Sequence, residues 1–304
     1  DVMFAALVMT SVVLASGPLD APAIGLSALS LGLALGTDPS SPVVILVAFT
    51  PESYLSIPTT SWSLRWFEAI WSSDFIPAFW ISVYVACGAA TIALIVSVPA
   101  AIATARYDYP GRQALGAYFL PPLMVPHVVL GVALLRFLAE VGLTANMAAL
   151  IMGHVIIVLP FTLRLALAAL TGMNRHCEWA AWSLGASQWT VFRRVTLPMI
   201  VPGLAGGWLL AFIQSFDELT MTVFVASPGT TTLPVRMFQY ITDNIDPMVA
   251  SISTALIVLA LVLMAKGVKS GGLVKQSVIG VAVASSWFMG GRPSINSIVR
   301  IKLV

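Results

Sequence analysis

Apolar residues run along this chain in long blocks with few polar interruptions, and the blocks predict helices that cross a membrane. Ile76 to about Thr104, Ala114 to Val141, Met147 to Leu170, Met199 to about Ala226 and Val249 to about Ala265 are each long enough for a hydrocarbon layer of about 30 Å. One further span is expected near residues 24 to 50, ending in the run Pro42 to Phe49. Before it, Met3 to Ala15 and Ala23 to Gly36 are apolar but short, and Gly17, Pro18, Asp20 and Pro22 separate them. The pattern therefore gives about six spans. Pro121, Pro122 and Pro126 fall inside the Ala114 to Val141 block and predict a kink there. Residues 51 to 76 carry Trp62, Trp66 and Trp71 and predict an interfacial loop, with a short amphipathic helix in Ser63 to Ile70. Residues 227 to 248, with Pro228-Gly229, Pro234, Arg236, Asp243, Asp246 and Pro247, predict a polar outer loop.

Composition sharpens the class. Of 304 residues, 59% are hydrophobic and 9% charged, and mean hydropathy is +0.95. Globular proteins carry about 25% charged residues, so the expectation is an all-α integral membrane protein, a polytopic bundle of about six transmembrane helices. A net charge of +2, scattered along the chain, gives no basic groove interleaved with aromatics and excludes nucleic acid as a partner. Cys87 and Cys177 have no CxxC or His-flanked spacing, so neither a disulfide framework nor a metal site is expected. His127 and His154 have no second ligand at metal spacing and read as helix-packing histidines. There is no P-loop, no Gly-x-Ser-x-Gly with histidine and no pair of facing aspartates. The chain is thus expected to be no enzyme and to hold no cofactor.

Charge also orients the spans. The segments placed inside hold Arg106, Arg112, Arg175, Arg193, Arg194, Lys266 and Lys269, whereas those outside hold Arg65 and Arg236. No Lys or Arg precedes Arg65, so neither the cationic start of a signal peptide nor a basic cytoplasmic flank is present, and the sequence begins at Asp1 as a fragment or processed chain would.

One polar insert stands out on the inner side, Glu178 to Pro202, between two long apolar runs. Ala180, Ala181 and Leu184 share a helical face, Gly185 supplies a break, and Ser187 can cap a second helix whose apolar side is Val191, Phe192, Val195 and Leu197. Arg193 and Arg194 lie beside that face, and Pro198 and Pro202 mark where the next apolar run begins. Two readings fit: a docking surface, or an interfacial loop whose cations follow the positive-inside rule.

The run A-A-x-x-L-G-A-S followed by F-x-x-V-x-L-P-x-x-x-P resembles the EAA coupling motif of the membrane subunits of binding-protein-dependent ABC importers. By position Ala180, Ala181, Gly185, Leu197 and Pro198 match it, while the usual glutamate before the Ala-Ala pair is Trp179, with Glu178 one place earlier. The resemblance implies a type I ABC importer permease in a bacterial inner (plasma) membrane, with a core over residues 42–267 and a coupling loop at 178–198. It leaves 1–41 a poorly assigned N-terminal segment, part of a first span at most, and 268–304 an unassigned C-terminal extension. It implies cytoplasmic ABC ATPase subunits that carry ATP and Mg, a second permease subunit, an extracytoplasmic solute-binding protein and surrounding membrane lipid. A stand-alone secondary transporter or channel, or a membrane scaffold, fits the hydropathy but leaves the motif unexplained.

Ionisable residues inside the membrane point to function or to packing. Asp217 and Glu218, in F-I-Q-S-F-D-E-L-T, fall about two-thirds along the fifth span and either line a path for a cation or join a network with Gln214, Ser215 or Thr220. Ser-Phe-Asp-Glu and the following T-T-L-P-V-R-M-F resemble the polyamine branch of these permeases; related branches carry ferric ion or aminophosphonates. Arg136 and Glu140 stand at i, i+4 spacing and predict a local ion pair. Gly203-x-x-x-Gly207 fits either close helix approach or the ordinary recurrence of small residues.

Overall fold

The computed structural model describes residues 40–57, 61–71, 73–112, 125–144 and 146–269. Pro121, Pro122, most of the N-terminal segment and nearly all of the tail lie outside these residues. The described elements are α1 (Ser40–Val47), α2 (Arg65–Trp71), α3 (Phe75–Arg106), α4 (His127–Val141), α5 (Met147–Gly172), α6 (His176–Ser183), α7 (Gln188–Val191), a π-helical turn (Phe192–Thr196), α8 (Leu197–Phe216), α9 (Thr222–Val225), α10 (Leu233–Asp243) and α11 (Met248–Lys269). Among the described residues, α3, α5 and the run Gln188–Phe216 are long and apolar enough to cross a membrane. Two compact units are present, one ending at Ser82 and resuming from Thr231, the other covering Val83–Thr230.

In the second unit, α3, α5 and α8 share an apolar core of Ala101, Leu163, Ala166, Leu170, Ile200 and Leu204. The contacts are close because the residues are small. Ala86, Ala89, Ala90, Ala93 and Ala101 of α3 are fully buried, a helical spacing that presents one nearly flat face. A Cβ on Gly203 would lie 2.6 Å from the Ala169 Cβ, and one on Gly207 3.3 Å from the Leu165 Cβ. The Gly203/Gly207 pair is therefore a packing device between α8 and α5. Trp208 Nε1 donates to Thr91 Oγ1 at 3.0 Å on an exposed face, and in the interior Ser97 bonds with Thr162 at 2.6 Å. Where no water is at hand, such pairing is how a hydroxyl avoids a desolvation cost.

In the first unit, α11 packs on α1 and α2, and Ser251 Oγ donates to the Ala48 carbonyl at 3.1 Å. The expected interfacial helix is α2, which turns Trp66 inward, its Nε1 donating to the Glu52 carbonyl at 3.2 Å, and leaves Trp71 exposed.

Three expectations are corrected. The fifth span does not begin at Met199, because the helix is continuous from Gln188 and ends at Phe216. Pro198 lacks an N–H, and the turn before it widens so that the Leu197 N–H donates to the Phe192 carbonyl, which lets the helix run on past the proline. Pro126 bounds α4 at its N-cap in an extended conformation, φ −56° and ψ 132°, and does not kink it from within. The polar outer segment is not wholly a loop, because it holds α10. Leu233 and Val235 are buried, Arg236 pairs with Asp74, and the Leu233 N–H donates to Ser82 Oγ at 2.7 Å. Arg236 is engaged by a partner distant in sequence, while Asp246 accepts locally from the Tyr240 hydroxyl and the Met248 N–H.

Candidate functional site

The inner-side insert folds as a helix–turn–helix. Asn174 Oδ1 accepts from the His176 N–H at 2.9 Å and opens α6. Gly185 ends it at φ +81°, a left-handed conformation that any side chain would strain. The Ser187 side chain then accepts from the Thr190 N–H and opens α7. Glycine break and serine cap thus stand where the sequence placed them.

What faces inward was not legible. Glu178 is 4% exposed. Its Oε1 accepts from Thr196 Oγ1 at 2.7 Å, and its Oε2 lies 3.1 Å from Arg106 Nη2. The arginine contact is an ion pair without hydrogen-bond alignment. Ala181 is half-buried, Ala180 and Gly185 are exposed, Leu197 is half-buried and Pro198 exposed. Leu184, expected on an apolar contact face with Ala180 and Ala181, is 88% exposed. Trp179, Trp182 and Trp189 are exposed too, with Arg193 and Arg194 on the same side of exposure. The insert hides its acid and Val191, keeps Phe192, Val195 and Leu197 half-buried, and shows Trp179, Trp182, Leu184 and Trp189.

The second candidate is at the other acidic pair. α8 stops at Phe216, Asp217 stands at its C-cap, and the chain turns into α9, so neither acid lies within the helix as expected. Asp217 is exposed. Glu218 is 4% exposed: its Oε1 accepts from the Met221 N–H at 2.8 Å, and its Oε2 is 2.8 Å from His127 Nδ1. The packing network expected through Gln214, Ser215 or Thr220 is replaced by one through His127. Ser215 serves the other histidine: His154 Nδ1 is 2.8 Å from Ser215 Oγ and Nε2 3.0 Å from Thr222 Oγ1, so its ring is fully engaged. Gly131 lets α4 approach this turn, since a Cβ there would lie 2.8 Å from the Phe224 ring.

Sequence reasoning missed Arg106, Thr196 and His127, each the partner of a singled-out acid. Arg106 had been counted as a loop cation, and no spacing rule joins it to Glu178. Arg136 Nε and Glu140 Oε1 do form the expected pair, at 3.1 Å on an exposed face. Among the described residues, no three His, Cys, Asp or Glu side chains gather as metal ligands.

Apolar helices long enough to span a membrane, joined by a capped helix–turn–helix with exposed tryptophans, fit a membrane permease. The chain belongs to the binding-protein-dependent transport system inner membrane components, whose family pattern matches residues 97–268. It is 35% identical over 227 residues to the spermidine/putrescine transport system permease protein PotC of Haemophilus influenzae, covering 73% of this chain and 88% of that one. It is 31% identical over 226 residues to the putrescine transport system permease protein PotI of Escherichia coli K12, covering 71% and 80%. A bacterial ABC transporter involved in the import of the acidic polysaccharide alginate has the same fold, with TM-score 0.59 and 14% identity over 81% of this chain and 96% of that chain. The chain is therefore a permease subunit of an ABC importer with the type I permease fold, resident in the inner membrane.

Proposed function

We propose that the chain is the permease subunit of a polyamine importer, which receives its solute from an extracytoplasmic binding protein. It pairs with a second permease subunit and is driven by cytoplasmic ATPases that carry ATP and Mg; the chain itself performs no catalysis. The coupling loop is 178–198. Its exposed Trp179, Trp182, Leu184 and Trp189 form the apolar surface that an ATPase groove would cover, Gly185 gives the surface its turn, and Ala180 and Ala181 keep the helix thin. Leu197 and Pro198 join it to α8. Glu218, with Asp217 beside it, supplies carboxylate to a passing cation. The observation that carries the reading is this exposed apolar face on an inner-side helix–turn–helix, and the named relatives support the solute class.

The test is ATP hydrolysis by the co-expressed complex in lipid, with binding protein loaded with spermidine. Loaded binding protein is expected to stimulate hydrolysis, and Gly185→Asp to abolish the stimulation. No retained ATPase, with Gly185→Asp silent, would reject the reading in favour of a stand-alone transporter.

A further inference from the structure

We propose that Glu178 is the internal tie of the coupling loop, not a contact to the ATPase: it holds α6 to the ends of α3 and α8, so that all three move as one body. The proposal rests on the coupling-loop reading above. One carboxylate joins three separate elements. It belongs to the first turn of α6, Arg106 is the last residue of α3, and Thr196 closes the π-helical turn that leads into α8. Little else anchors α6, because Trp179, Ala180, Trp182 and Ser183 are exposed. Glu178 itself is 4% exposed, so a partner covering the exposed residues of α6 would not reach its carboxylate.

The chemistry suits a tie that must survive motion. An ion pair without aligned hydrogen bonds tolerates small rotations, because charge attraction is less directional than hydrogen bonding. The π turn is the kind of local irregularity that can act as a hinge, and Glu178, by gripping its last residue, keeps it from bending between α6 and α8. Beside the tie lies a cavity of about 200 Å³ lined by Ile102, Arg106, Trp182, Val191 and Phe192 among others, which leaves the side chains room to shift without breaking the pair.

The experiment places spin labels at Tyr107→Cys and Ser183→Cys in a Cys87→Ser, Cys177→Ser background, within the full complex in lipid. The distance between them is read without nucleotide and after trapping with ATP and vanadate, together with spermidine uptake per ATP hydrolysed. With Glu178 present the distance stays the same in both states. With Glu178→Gln the ATPase remains bound, the distance shifts on trapping, and uptake per ATP falls about tenfold. Thr196→Val, which removes one hydrogen bond and keeps the ion pair, gives a smaller shift. Arg106→Glu with Glu178→Arg restores the constant distance. An unchanged distance and ratio in Glu178→Gln would overturn the proposal, as would loss of the ATPase from that variant alone. Loss of the ATPase from the chain that retains Glu178 would instead overturn the coupling-loop reading itself.

Discussion

Two glutamates in the same compact unit are equally buried and differently held. Glu178 faces a guanidinium and a hydroxyl from two other helices, whereas Glu218 faces an imidazole and a backbone N–H of its own turn. A guanidinium keeps its charge throughout the physiological range, so the first site is a permanent pair suited to holding elements together. The second site is held by one histidine contact and one hydrogen bond inside its own turn. In this protein the two acids are alike in burial and differ in the partners that hold them.

The sharpest way to break the comparison is to remove a partner from each. Arg106→Ala strands the Glu178 carboxylate and is expected to cost about 3–5 kcal/mol, read as a loss of thermal stability in detergent. His127→Gln can still donate a hydrogen bond to Glu218. It should change stability by no more than about 1.5 kcal/mol while altering the apparent affinity for spermidine in uptake assays. Between these falls Gly203→Leu, which tests packing without charge. Its added carbons meet Ala169 and should destabilise by about 1–3 kcal/mol in the same melting experiment. Gly185→Ala adds no clash, but its left-handed backbone should cost about 1–2 kcal/mol locally, visible as faster hydrogen exchange in α6 and α7. At the small end, Arg136→Ala removes an exposed pair and should shift stability by at most about 0.5 kcal/mol.

The sequence made local features plain. Long apolar runs announced α3 and α5, and the Gly185 break, the Ser187 cap and the Arg136–Glu140 pair follow from spacing rules that act within a turn or two. Tertiary partners were not legible in the same way. Nothing near Glu178 announces that Arg106 and Thr196 will enclose it, and nothing near Glu218 announces His127. The start of the fifth helix was misplaced because Pro198 normally signals a beginning, while a widened turn here carries the helix through it. α10 was hidden because Arg236 looks like a loop residue until Asp74 is beside it. For the buried acids and α10 the missing information lay in contacts between separated segments, for the fifth helix in a local widened turn, while composition correctly fixed the class.

The central claim is that the coupling loop presents its apolar side to the ATPase and keeps Glu178 inside. Its most direct test is the amount of ATPase retained per permease when the complex is purified in lipid nanodiscs from Trp182→Asp, Leu184→Asp and Glu178→Gln variants. The account predicts that the two aspartate variants lose the ATPase and that Glu178→Gln keeps it. Retention by both aspartate variants with loss in Glu178→Gln would contradict it, placing the acid at the interface and the tryptophan face elsewhere.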